Sequence, residues 1–161
     1  MSSLAALVIA ASATLGHAEQ LTAEDYVKFF SFQVGEWEWV RSDGEEGTCT
    51  FTMSPTENCL LAYVTMNGEP YIQAIAAYDP EQKGWKRILI GAKGWQATIL
   101  VKTDKATLAG SRAGVTFKNS SKTILPDGSV RDSTEVLTVV DDDTWKSQAD
   151  DTVVTFKRIE N

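Results

Sequence analysis

Histidine is almost missing from this chain of 161 residues: His17 is the only one. It lies in a segment expected to be removed, so the mature protein has no imidazole, which excludes Ser-His-Asp and Cys-His catalysis, histidine-ligated haem and most zinc chemistry. Gly-rich phosphate loops, the G-x-S-x-G elbow and CxxC pairs are also missing, and with them the usual sequence signs of a nucleotide, acyl-transfer or redox enzyme. Positive charge is scarce relative to negative. The formal net charge is −7, which argues against a nucleic-acid partner. No stretch approaches the 18 or so apolar residues of a membrane-spanning helix. No metal-ligand set and no cofactor motif is expected.

What is present begins with a targeting pattern. Residues 4 to 15, LAALVIAASATL, are uncharged and mostly apolar, and Gly16-His17-Ala18 precede Glu19 with small residues at −3 and −1. The expectation is a signal peptide over 1–18, cleavage after Ala18 and a secreted or periplasmic protein formed by a single domain over 19–161. Export makes the two cysteines informative. Cys49 and Cys59 flank the turn-rich run Ser54-Pro55-Thr56-Glu57-Asn58 between two candidate strands, and the expectation is a structural disulfide across one hairpin.

Beyond the leader, one helix is expected near 22–32. Thr22 is an N-cap with Asp25 at N3, and Tyr26, Val27, Phe29 and Phe30 follow at helical spacing. From Val34 the period becomes two: Trp37 and Trp39 alternate with Glu36 and Glu38, and Cys49, Phe51 and Met53 alternate with Thr48, Thr50 and Thr52. Turn signals recur at Asp43-Gly44, Asn67-Gly68, Asp79-Pro80 through Gly84, Gly91 to Gly94, Pro126-Asp127-Gly128 and Asp141-Asp142-Asp143. Strands are expected near 34–41, 47–53, 59–66, 70–78, 84–90, 95–102, 106–110, 113–124, 129–140 and 144–158, the last broken at Asp150-Asp151. Such a meander must hide its edges, and closing into a barrel is the simplest way, with a two-sheet sandwich as the competitor; the expected fold class is all-β: one antiparallel up-and-down barrel of about eight to ten strands with a short N-terminal helix.

Two features point to a known architecture. Val34-Gly35-Glu36-Trp37 resembles the Gly-x-Trp that opens the first strand of lipocalin-like (calycin) barrels, and Arg158 resembles the arginine that those folds lay across that tryptophan. The order of Asn67-Gly68-Glu69, Ala77-Tyr78-Asp79-Pro80 with Trp85, Leu125-Pro126-Asp127-Gly128 and Val139 to Trp145 is similar to a bacterial family of lipocalin-like domains, often exported. The resemblance covers nearly all of 29–157. It implies the fold and a structural role for Trp37 and Arg158, and its turn and barrel-end motifs imply no catalytic residue.

The remaining clusters leave several functions open. The five tryptophans with Tyr63, Tyr71 and Tyr78 would either fill the barrel or line a pocket. Glu36 and Glu38 alternate with tryptophans and should face solvent. Asp141, Asp142 and Asp143 lack calcium-loop spacing and should form a hairpin tip. Asp132 and Glu135 are the pair to consider for acid–base chemistry, yet three residues along a strand puts them on opposite faces. Any of Arg87, Arg112 and Arg131 that points inwards would recognise an anionic group. Asn119-Ser120-Ser121 is formally a glycosylation sequon.

A non-catalytic, exported binder of a small, largely apolar or amphipathic molecule, with room for one anionic group, is the leading expectation. Its expected lining residues are Trp85, Trp95, Tyr63, Tyr78 and Arg112, which lie in the middle strands, away from the Trp37 end that the barrel closes. The alternatives are a histidine-free hydrolase or isomerase using converging carboxylate or tyrosine groups, and an interaction module with a filled barrel and an exposed apolar patch. Cavity volume and lining separate them.

Overall fold

A computed structural model describes residues 21–160; the expected signal peptide and its cleavage site lie outside the described residues. The chain opens with helix α1 (Ala23–Phe30) and a 3₁₀ turn (Ser31–Gln33). Ten strands follow: β1 (Gly35–Arg41), β2 (Glu46–Met53), β3 (Cys59–Met66), β4 (Glu69–Asp79), β5 (Gly84–Gly91), β6 (Gln96–Val101), β7 (Thr116–Ile124), β8 (Val130–Asp141), β9 (Thr144–Ala149) and β10 (Thr152–Arg158). A short helix α2 (Lys105–Ala109) joins β6 to β7. Each strand pairs antiparallel with its chain neighbour, and β1 pairs with β10, so the sheet is a closed barrel without edges.

One expected strand is replaced by a helix, and the break expected in the last run makes two strands of it, so the number stays at ten. In place of the strand expected at 106–110 stands α2, because Asp104 caps the segment by accepting from the Thr107 amide at 2.7 Å and Lys, Ala and Leu favour helix. The run 144–158 divides into β9 and β10 at the expected Asp150-Asp151, where Asp150 takes φ 52 and reverses the chain.

The expected disulfide is not formed. In the β2–β3 hairpin Cys49 faces Val64, while Cys59 stands across from Ser54, whose amide donates to the Cys59 carbonyl. The cysteines are therefore offset by five positions along the hairpin, about 17 Å at strand rise, far beyond disulfide reach. Both are free thiols. Flanking a turn is not enough to pair two cysteines; their distances from the turn centre must match, and these do not.

Helix α1 plugs the end at which β1 begins. Its N-terminus is a capping box: Thr22 Oγ1 accepts from the Asp25 amide at 3.3 Å and Asp25 Oδ2 accepts from the Thr22 amide at 2.8 Å. Its buried face carries Tyr26, Phe29 and Phe30. Phe30 stacks on Trp85 with centroids 5.6 Å apart, and Phe29 meets Phe117 edge to face at 5.4 Å. Trp37 is wholly buried beside this plug and donates through Nε1 to the Gln33 carbonyl at 2.7 Å. Arg158, opposite Trp37 in the β1–β10 register, holds its guanidinium 4.3 Å from the indole centroid.

Candidate functional site: the barrel lumen

Because connections alternate between the two ends, strands β1, β3, β5, β7 and β9 all begin at the plugged end. Inward positions then stack in rings. Trp85, Phe117, Leu137 and Trp145 form a buried apolar ring just above the plug. The next inward positions on the same strands, toward the unplugged end, are Arg87, Asn119, Glu135 and Ser147, and they form a polar ring. Above them a cavity of ≈ 370 Å³ opens toward the unplugged end, walled largely by apolar residues from Leu60, Ala62 and Leu89 to Ile99 and Phe156. That volume is within the range of small-molecule sites, roughly 300–1,000 Å³.

The polar ring is a connected network around one carboxylate. Glu135 is buried; its Oε2 accepts from Arg87 Nη2 and from Asn119 Nδ2 at 3.0 Å, and its Oε1 accepts from Ser147 Oγ at 2.7 Å. Arg87 and Glu135 are 48 residues apart in sequence and on β5 and β8, so the ion pair reaches across the lumen. A buried pair of this kind is costly to desolvate and more costly to break, since removing one partner strands the other charge. Two N–H donors of cavity-lining residues, Arg87 Nε and Trp145 Nε1, are buried without an acceptor.

Aromatic side chains frame the unplugged end. Tyr71 stacks on Trp39 with centroids 6.2 Å apart and meets Trp95 edge to face at 6.4 Å. Both indoles are seated over glycines: a Cβ on Gly91 would lie 2.1 Å from a Trp95 ring carbon, and one on Gly47 would lie 3.0 Å from Trp39. Trp39 is further anchored by Nε1 donating to the Thr65 carbonyl at 3.0 Å. At the rim, Arg41 is engaged by Asp43 and Glu45. Its guanidinium holds the Asp43 carboxyl down at about 2. Cys49 also lines the cavity, and burial pushes its thiol up to about 12, so it is not a nucleophile near neutral pH.

Of the five expected lining residues, the cavity wall contains Trp95. Trp85 and Tyr78 lie against the plug: Trp85 packs on Phe30 and Tyr26, and Tyr78 donates to the Leu21 carbonyl at 3.3 Å. Arg112 is at the same end, donating to the Lys28 carbonyl at 3.2 Å with its guanidinium 5.9 Å from the Phe32 ring centroid. Tyr63 faces outwards into a shallow hollow with Pro70, Gln73 and Ile90. The expectation equated middle strands with distance from the Trp37 end. A middle strand is distant around the barrel, whereas Trp85 and Tyr78 are level with Trp37 along its axis.

Other candidates separate cleanly. Asp132 is exposed and Glu135 is buried, so the two carboxylates do not converge, and Glu135 is the one carboxylate among the described residues of the cavity wall. Arg131 is outside, paired with Asp150. Asn119, the sequon asparagine, is buried and bonded to Glu135, and is inaccessible to a glycosyl carrier in the folded protein. Asp141 to Asp143 form the hairpin tip, where Asp143 Oδ1 accepts from Arg158 Nε at 2.8 Å. Arg87, Glu135 and Ser147 were legible as a set only through phase: each is two positions from a tryptophan or leucine on the core face of its own strand. Comparison with protein-family models and with curated proteins finds no match.

Proposed function

We propose that the mature protein is a non-catalytic, exported or periplasmic binding protein that holds a small, largely apolar molecule inside its barrel. The observation that carries this reading is the cavity of ≈ 370 Å³, with an apolar wall, aromatic rings at its mouth and a single charge-neutral polar ring at its floor. A filled barrel would favour an interaction module, and this barrel is not filled. The acid–base alternative calls for converging carboxylate or tyrosine groups; Glu135 is the one carboxylate of the described cavity wall and is held by Arg87, Asn119 and Ser147, while Tyr71 stands at the mouth against Trp39 and Trp95. The Gly35–Trp37 strand opening and the Arg158 guanidinium over Trp37 support the resemblance to lipocalin-like barrels.

Tryptophan emission reports the test directly, because Trp39 and Trp95 border the cavity. Fatty acids, retinoids, porphyrins and phenolics are to be titrated into the protein. A ligand of the lumen quenches or shifts emission, and Trp95→Ala weakens its binding about tenfold through loss of the aromatic contact. Failure of every class to bind below about 100 µM would sink the reading. Sequencing the N-terminus of the exported protein tests the expected start at Glu19.

A further inference from the structure

The reading above leaves the ligand's chemistry open, and the inference here rests on it. Three charged side chains line the cavity: Arg41, Arg87 and Glu135. Arg41 is held at the rim by Asp43 and Glu45, and Arg87 is held at the floor by Glu135. The floor is therefore neutral as a unit. The oxygens of Glu135 already accept from Arg87, Asn119 and Ser147, while Arg87 Nε and Trp145 Nε1 are donors without an acceptor; Asn119 Oδ1 is also buried without a partner, but Asn119 does not line the cavity. Buried N–H groups left unmade are costly, and a ligand that supplies the missing acceptor recovers that cost.

We infer that the barrel selects an uncharged ligand, with an apolar body and a carbonyl-type oxygen acceptor (ketone, ester or amide) at its buried end, which takes a hydrogen bond from Arg87 Nε or Trp145 Nε1. A carboxylate would bring a second negative charge beside Glu135 in an apolar lumen, and could be satisfied only by taking Arg87 from Glu135 and stranding that carboxylate. An ammonium would face the like charge of the Arg87 guanidinium, and could reach a Glu135 oxygen only beside the donors that already hold it. The acidic rim of Asp43 and Glu45 adds a further barrier to an anion. A neutral carbonyl leaves the ion pair whole and fills the donors.

Three ten-carbon probes that differ at one end separate these cases: 2-decanone, decanoate and decylammonium, titrated at pH 8 by calorimetry and tryptophan emission. The wild-type protein should bind 2-decanone at least about tenfold more tightly than either ion. Glu135→Gln, which leaves Arg87 uncompensated, should reverse the order: decanoate gains about tenfold or more and now raises the melting temperature, which it does not do for the wild type. If Glu135→Gln does not fold, the triple variant Arg87→Leu/Glu135→Leu/Trp145→Phe removes both charges and both open donors together, and the at least fivefold preference of the wild type for 2-decanone over decane should vanish in it. Decanoate binding the wild type as tightly as the ketone overturns the ligand class and leaves the binding reading standing. No probe entering the barrel overturns both.

Discussion

Arg158 holds together three segments that are distant in sequence. Its guanidinium covers Trp37 and donates to the carbonyls of Phe32, Val34 and Asp142 as well as to the Asp143 carboxylate. It thus ties the plug, the opening strand and the β8–β9 hairpin to the last strand. The side chain is partly exposed, which moderates each interaction, but the carbonyls lose a charged donor together. Arg158→Ala should cost about 2–4 kcal/mol in chemical denaturation. Arg158→Lys keeps the charge and loses the planar fork, and should recover less than half of that loss. Unchanged stability with Trp37 emission still buried would mean that the cluster does not close the barrel.

Helix α1 depends on its cap more than on its length. At eight residues it is too short to be stable alone, and its order comes from the capping box and from the aromatic face laid over Trp85 and Phe117. Thr22→Ala removes the acceptor for the Asp25 amide and should lower stability by about 0.5–2 kcal/mol, while Thr22→Ser should be near neutral. Because the plug roofs the end opposite the mouth, neither substitution should alter binding of a lumen ligand by more than about twofold when the protein is folded. A large binding change in Thr22→Ala would show that the plug, rather than the mouth, governs access.

Aspartates at three strand reversals and at both helix starts contribute to the response of the whole molecule to pH. Asp25 is held down first by the Thr22 amide, Asp79 by the Gln82 amide, Asp104 by the Thr107 amide, Asp127 by the Ser129 hydroxyl and Asp43 by Arg41. Each carboxyl titrates lower when folded than its ordinary value of 3.8. The unfolded chain therefore takes up protons first on acidification. The stabilisation is present above about pH 4 and is lost as pH falls through the folded values, which for Asp43 is about 2. The melting temperature should not fall between about pH 7 and 5, and should drop steeply between about 4 and 2. A melting temperature that holds to pH 2 would show that these turns add nothing to the barrel.

The sequence by itself determined the phase of nearly every strand, the positions of the reversals and the capped helix. These depend on residues within a few positions of one another: alternation sets which side chains face the lumen, Asn67-Gly68 and Asp127-Gly128 accept the turn geometry, and Thr22 with Asp25 closes its own box. Closure into one barrel was the simplest way to hide two open edges, but alternation fits a two-sheet sandwich as well, and the β1–β10 pairing decided between them. Only the tertiary structure decided which inward-facing residues meet. Arg87 and Glu135 pair through the lumen because closure and register bring inward positions of β5 and β8, three strands apart, to the same height, and no local pattern encodes that distance. Register along the hairpin likewise separated Cys49 from Cys59, and height along the barrel axis put Trp85 and Tyr78 against the plug while Trp39, Tyr71 and Trp95 border the opening. Alternation specifies a face, whereas the site depends on height and on the opposite wall, and those are set by the closing of the whole sheet.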